Sequence, residues 1–121
     1  MTEIHLFKFA TDAIEVQPDE ALFREGDTGD VMFAVVEGNV EVTLDGQVVE
    51  ELGAGSILGE LALIDSSPRA ATATATELSR VVRIDKKHFM FLVQEHPTFA
   101  LQVMAVMAER LRRANDAHAP G

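Results

Sequence analysis

With 121 residues, 47% of them hydrophobic, the chain is long enough for one domain with one core, too short for two ordinary domains, and unlike a disordered segment in composition. A formal net charge of -10, from 20 acidic and 10 basic residues, opposes binding to nucleic acid phosphates and to anionic membranes. The absence of cysteine excludes disulfides, thiol catalysis and thiolate metal sites.

The first segment, Met1 to Phe9, has no basic region followed by a long apolar core, and no apolar run approaches membrane-spanning length. A soluble cytoplasmic protein is the expectation. From about Ile14 to Ile84 the pattern is one of short strands divided by turn residues. Val31–Val36 is an unbroken apolar run of buried-strand type, entered through Gly26–Asp30 and left through Glu37-Gly38-Asn39. Val40, Val42 and Leu44 alternate with polar residues as in a half-buried strand. Asp45-Gly46 fits a two-residue hairpin turn, with Gln47 to Leu52 as the return strand. Later, Thr72, Thr74 and Thr76 alternate with alanines, and Val81–Ile84 closes the strand region. Many short, evenly spaced strands predict a sandwich or jelly-roll barrel over about 14–84.

After Asp85 the period changes. A helix is predicted over about 86–94, with Phe89, Leu92 and Val93 on one side. Pro97 suits the first turn of a second helix over about 98–115, expected to fray before Pro120-Gly121. Ala100, Met104, Met107, Leu111 and Ala114 follow heptad spacing, while Phe99, Val103 and Val106 lie on an adjoining face. One face is expected to cover the barrel and the other to meet a second copy in a homodimer. The simpler alternative has all of these residues covering the barrel of a monomer. The whole chain, 1–121, is read as one domain.

The segments Gly59-Glu60-Leu61-Ala62-Leu63 and Pro68-Arg69-Ala70-Ala71-Thr72 carry the chemistry. They supply backbone N–H groups at the start of a short helical turn, a carboxylate, and a guanidinium on the returning strand. Gly59 permits a tight strand-to-helix turn, and the small Ala62 lets an anion approach the backbone. Such a set suits a small ligand with an anionic phosphate and a sugar hydroxyl. Taken singly, each residue has a plainer explanation: Gly59 as a turn glycine, Glu60 as a helix-start acid, Arg69 as a solvated loop arginine, Arg110 as an exposed helical charge.

Together and in order, they closely resemble the phosphate-binding cassette of cyclic nucleotide-binding domains. The resemblance runs from about Val16 to Asn115 and includes Phe23–Phe33 and the Glu37-Gly38 turn. It implies a mainly β fold: a jelly-roll (double-stranded β-helix) barrel with a short cassette helix and two C-terminal α-helices. The branch it resembles is the Crp/Fnr-type, catabolite-activator-like sensor domain, with no helix-turn-helix expected within these residues. The implied ligand is cAMP, with cGMP as the alternative. Gly59, Leu61, Ala62 and Arg69 would receive the phosphate, flanked by Ala70 and Ala71, and Glu60 the ribose 2′-hydroxyl. Arg110 matches the long-helix arginine that links to the cassette glutamate, and Asn115 matches a position near the base.

Three departures bear on the ligand. Leu58 stands where phenylalanine is common. Ala70 lacks the hydroxyl that cGMP-selective relatives place beside the arginine, which favours cAMP weakly. Ala114 and Asn115 replace base-contacting hydroxyls. No enzyme is expected: His5, His88, His96 and His118 are scattered, without the paired ligands of a metal-dependent cupin, and no Ser–His–Asp arrangement is evident. No cofactor, nucleic acid or membrane partner is implied, and any effector protein is unidentified. The alternative function is a degenerate fold acting as a ligand-independent interaction or dimerisation module.

Overall fold

The computed structural model describes residues 2–117, so His118 and the expected fraying at Pro120-Gly121 lie outside the described residues. Eight strands and three helices follow in chain order: β1 (Ile14–Val16), β2 (Ala21–Phe23), β3 (Val31–Glu37), β4 (Val40–Leu44), β5 (Gln47–Leu52), β6 (Ile57–Leu58), α1 (Leu61–Ile64), β7 (Thr72–Ala75), β8 (Ser79–Asp85), α2 (Lys86–Glu95) and α3 (Thr98–Ala117). The strands form two four-stranded sheets, ordered β1-β8-β3-β6 and β2-β7-β4-β5, with every pairing antiparallel. This is the expected jelly-roll, and the helix boundaries differ from expectation by one or two residues.

Strand β3 shows why its sequence is an unbroken apolar run. Successive side chains of a strand point to opposite faces. Phe33 and Val35 enter a core between the two sheets with Val40, Leu52, Leu58, Ala73, Ala75 and Val81. Met32 and Ala34 face the other way, into a second core with Ile57, Val82, Ile84, Leu92, Phe99, Val103 and Val106. The register with β8 sets Met32 opposite Ile84 and Ala34 opposite Val82, so both strands serve both cores. The hairpin at Asp45-Gly46 has positive φ at both residues, 51° and 79°, as its sequence requires.

Helix α2 starts on an Asp85 cap, whose carboxylate accepts the His88 N–H at 2.7 Å. On α3 the adjoining face behaves as expected: Phe99, Val103 and Val106 are buried. The heptad set divides. Met107 packs against the helix-side core, whereas Met104 and Leu111 remain 54% and 63% exposed, and Leu101 beside them 64%. The reading in which all of these residues cover the barrel therefore does not hold. Among the described residues, no helix is long and apolar enough to cross a membrane.

The sequence carried no signal for the N-terminal segment. Residues 4–10 form a strap across α3, with Ile4 and Phe7 buried and the Phe7 ring 5.8 Å from that of Phe99. The strap is tied by the Ile4 N–H to the Gly55 carbonyl at 2.7 Å, and by Thr2, whose N–H and hydroxyl both donate to the Glu109 carboxylate. The Thr2 hydroxyl, then its N–H, hold the Glu109 carboxyl below the ordinary glutamate value. A depressed acid contributes fully above its ordinary pKa, and the contribution is lost as pH falls through the lowered value. The protection factor of the Ile4 amide should therefore fall on acidification, and Glu109→Gln should remove the acid-dependent part of that fall. Identical pH profiles for parent and variant in amide exchange would rule the tie out.

Candidate functional site

A cavity of about 270 Å³ opens between the second sheet, the α1 region and α3. Its walls include Gly59, Glu60, Leu61, Ala62, Arg69, Ala70, Ala71 and Arg110, together with Phe23, Val42, Glu50 and Leu58. Asn115 is not among them. It is exposed on α3, five residues past Arg110, which at 1.5 Å per residue is about 7.5 Å along the axis.

The floor is set by the strand-to-helix turn. Gly59 has φ +75°, and a Cβ there would lie 2.6 Å from Arg69 Nη1, so the position demands glycine on both counts. Glu60 is the residue before the four-residue α1, with helical dihedrals and no side-chain cap. Its side chain therefore turns into the cavity wall, leaving the residue 5% exposed. The Ala62 N–H makes a long bond of 3.3 Å to the Gly59 carbonyl, and its side chain is buried.

Arg69 departs from a solvated loop arginine: it is 7% exposed. Its backbone exchanges hydrogen bonds with the β2–β3 loop, the Arg69 N–H donating to Asp27 O and the Gly26 N–H to Arg69 O, each at 2.8 Å. Its guanidinium donates from Nη1 to Gly59 O at 3.0 Å and from Nη2 to Val31 O at 2.6 Å. Its Cζ lies 4.3 Å from the centre of the Phe23 ring, a cation–π arrangement. Gly29 closes in beside it, where a Cβ would sit 2.6 Å from Nε and Nη2. Buried Nε has no hydrogen-bond partner. Burial pushes the Arg69 pKa down from its ordinary value, and the Asp30, Asp27 and Glu60 carboxylates act in the opposite direction.

Glu60 and Arg69, both at the cavity wall, thus have different fates. Glu60 accepts from Arg110 Nη1 at 2.7 Å, and Arg110 also donates from Nε to Glu50 Oε1 at 3.3 Å and from Nη2 to Ile57 O at 2.5 Å. Arg69 has only neutral carbonyls as hydrogen-bond acceptors, and among the described residues it is in no ion pair. Of five guanidinium N–H groups it spends two, so three have no hydrogen-bond partner among the described residues. Arg69 is thus a positive charge at the wall that no carboxylate engages directly, while exposed Asp65 adds an acid to the same lining. Among the described residues no group of three or more His, Asp or Glu side chains is placed to hold a metal.

Sequence reasoning missed Glu50, which pairs with both Arg110 and Arg113, and the roles of Phe23 and Gly29 beside Arg69. Phe23 and Gly29 lie in the Phe23–Phe33 stretch that reads as fold signal alone, and nothing in the sequence distinguishes Glu50 from exposed Glu51.

Comparison with known proteins gives consistent results. A family model described as "Cyclic nucleotide-binding domain" matches residues 13–96, which takes in α1, Arg69 and both sheets but leaves out α3. Among curated proteins, Lysophospholipase nte1 of Aspergillus terreus is 31% identical over 109 residues, covering 86% of this chain and only 7% of that protein. The Thermus thermophilus catabolite activator protein superposes with a TM-score of 0.76 at 29% identity, over 85% of this chain and 51% of that one. The cAMP-bound PfPKA-R structure superposes with a TM-score of 0.73 at 29% identity, over 89% of this chain and 37% of that one.

Proposed function

Because this chain belongs to the cyclic nucleotide-binding domain family, we propose that the cavity takes cAMP, in preference to cGMP, and reports its presence through α3. The observation that carries this reading is Arg69, buried at the cavity wall with no ion-pair partner among the described residues and with Nε unspent. A cyclic phosphate, singly charged and with two exocyclic oxygens, suits the unspent guanidinium N–H groups and the small residues Gly59 and Ala62 beside them. The Leu61 and Ala62 N–H groups complete the phosphate end, with Ala70 and Ala71 lining the wall behind it. Glu60 accepts from the ribose 2′-hydroxyl while Arg110 offsets its charge, which makes ligand and α3 members of one polar network. Without a hydroxyl at Ala70 the pocket lacks a donor for guanine, which is the basis for preferring cAMP. Asn115 is assigned to the base only if the end of α3 folds towards the cavity mouth.

The exposed apolar residues Leu101, Met104 and Leu111 are the basis for proposing a homodimer through α3. The chain spans 7% of the first curated relative, so the activity in that protein's name is not carried over. The role proposed is regulatory and non-catalytic, in one domain over the whole chain, in a cytoplasmic setting, with output passed to a partner protein or to the second copy.

Calorimetric titration and thermal melting with each nucleotide test the proposal. Ligand at a hundredfold excess over its Kd stabilises a fold by about 2.7 kcal/mol, a rise of several degrees in Tm. Heat of binding and a raised Tm with cAMP, larger than with cGMP, are the expected result. No response to either would leave the ligand-independent dimerisation module as the better reading.

A further inference from the structure

Glu50 lies on β5, an edge strand of the second sheet, in a position where a carboxylate would ordinarily face water. Here it does not. It is two residues from Leu52, which is 2% exposed, and the alternation of the strand carries it to the same inner face. A bulge then follows: Glu50 pairs with Val42 but Val48 with Thr43, leaving Val49 unmatched and both valines outward. The Glu50 side chain is 13% exposed, and its two oxygens are divided between two arginines. Oε1 accepts from Arg110 Nε at 3.3 Å, and Oε2 from Arg113 Nη2 at 3.2 Å. Arg110 and Arg113 are three residues apart on α3, hence neighbours on one face.

We propose that Glu50 is a positioning residue, which fixes the guanidinium of Arg110 and straps the last turns of α3 to β5. It deepens the nucleotide reading of the same cavity and rests on it in part. Glu60 and Ile57 O hold only the two Nη groups of Arg110, on one side of the guanidinium. Glu50 holds the Nε edge, so that the plane is set from both sides. It also balances charge: Glu50 and Glu60 stand against Arg110 and Arg113. With Glu50 neutralised, Arg110 would present surplus positive charge to the cavity and compete with Arg69 for an anion. Arg113, 49% exposed, would lose its only ion-pair partner among the described residues and turn to solvent.

The test is amide hydrogen exchange on the full chain, with and without saturating cAMP, for the parent, Glu50→Gln and the neighbouring control Glu51→Gln. In Glu50→Gln without nucleotide, amides near the end of α3 should exchange at least about threefold faster, in keeping with loss of a coupled network. Amides of the β3–β8 pairing should be unchanged, and the cAMP-induced change in α3 should shrink. Glu51→Gln should match the parent. Equal exchange in Glu50→Gln and the parent overturns the proposal. So does a uniform acceleration across the domain, which is what a merely structural residue would produce. If the parent itself gives no response to cAMP or cGMP, the nucleotide reading falls, and exchange without ligand alone upholds or overturns the strap.

Discussion

Arg69→Ala should lower cyclic nucleotide affinity by at least about 100-fold, since each hydrogen bond to a charged group contributes about 1.5–3 kcal/mol and the fork offers two. From sequence alone, little effect on the fold is expected. The structure changes that expectation. The guanidinium is buried, donates to Gly59 O and Val31 O, and stacks on Phe23. Truncation removes the Arg69 donor from Val31 O and leaves Gly59 O with only the long Ala62 N–H bond, at about 1–3 kcal/mol for a buried group left unsatisfied. Both losses should therefore appear together, in titration calorimetry and in chemical denaturation of the same variant. Arg69→Lys separates them: it retains charge but not the planar fork, so affinity should recover only in part. Binding by Arg69→Ala as tight as the parent's would show that the phosphate site lies elsewhere.

Arg110→Ala should be the most destabilising single change at the cavity, by about 3 kcal/mol. That is the lower end for breaking a buried ion pair, because the Arg110 side chain keeps 23% of its exposure. The cost arises on the partner's side. The Glu60 side chain is 6% exposed, and without Arg110 its charge has no ion-pair partner among the described residues. From sequence alone, binding is expected to survive while the movement of α3 is lost. An uncompensated Glu60 beside an anion site, with Glu50 left to Arg113 alone, argues that affinity falls as well, since like charges at close range in a partly buried site repel strongly. A second substitution, Glu60→Gln, should restore a good part of the stability, and the double-mutant cycle isolates the pair. Additive effects would mean that the two residues do not interact in solution.

The legible parts of the fold are those whose cause is local. The Val31–Val36 run, the Asp45-Gly46 turn and the helical period after Asp85 each depend on a few adjacent residues, and each is in place. Ile4 and Phe7 were not legible, because a short aperiodic segment gives no signal until a helix exists for it to cover. The cassette was legible as chemistry only in combination, and the link from Glu60 to Arg110 came from family resemblance, since 50 residues separate the partners. Glu50 was beyond reach. Which of Glu50 and Glu51 turns inward depends on the phase of the strand relative to Leu52, and Val48 and Val49 are turned outward together by a bulge that has no sequence mark.

Strand β3 feeds two cores from alternate residues, and this sets how its length can vary. Replacing Met32 or Phe33 by a residue of similar size disturbs one core. Inserting or deleting one residue within Met32–Val35 exchanges the two sets, sending helix-side residues between the sheets and the reverse. Val31, whose carbonyl holds Arg69, would shift with them. Drift in chain length among descendants of this sequence should therefore collect at turns such as Asp45-Gly46 and spare β3.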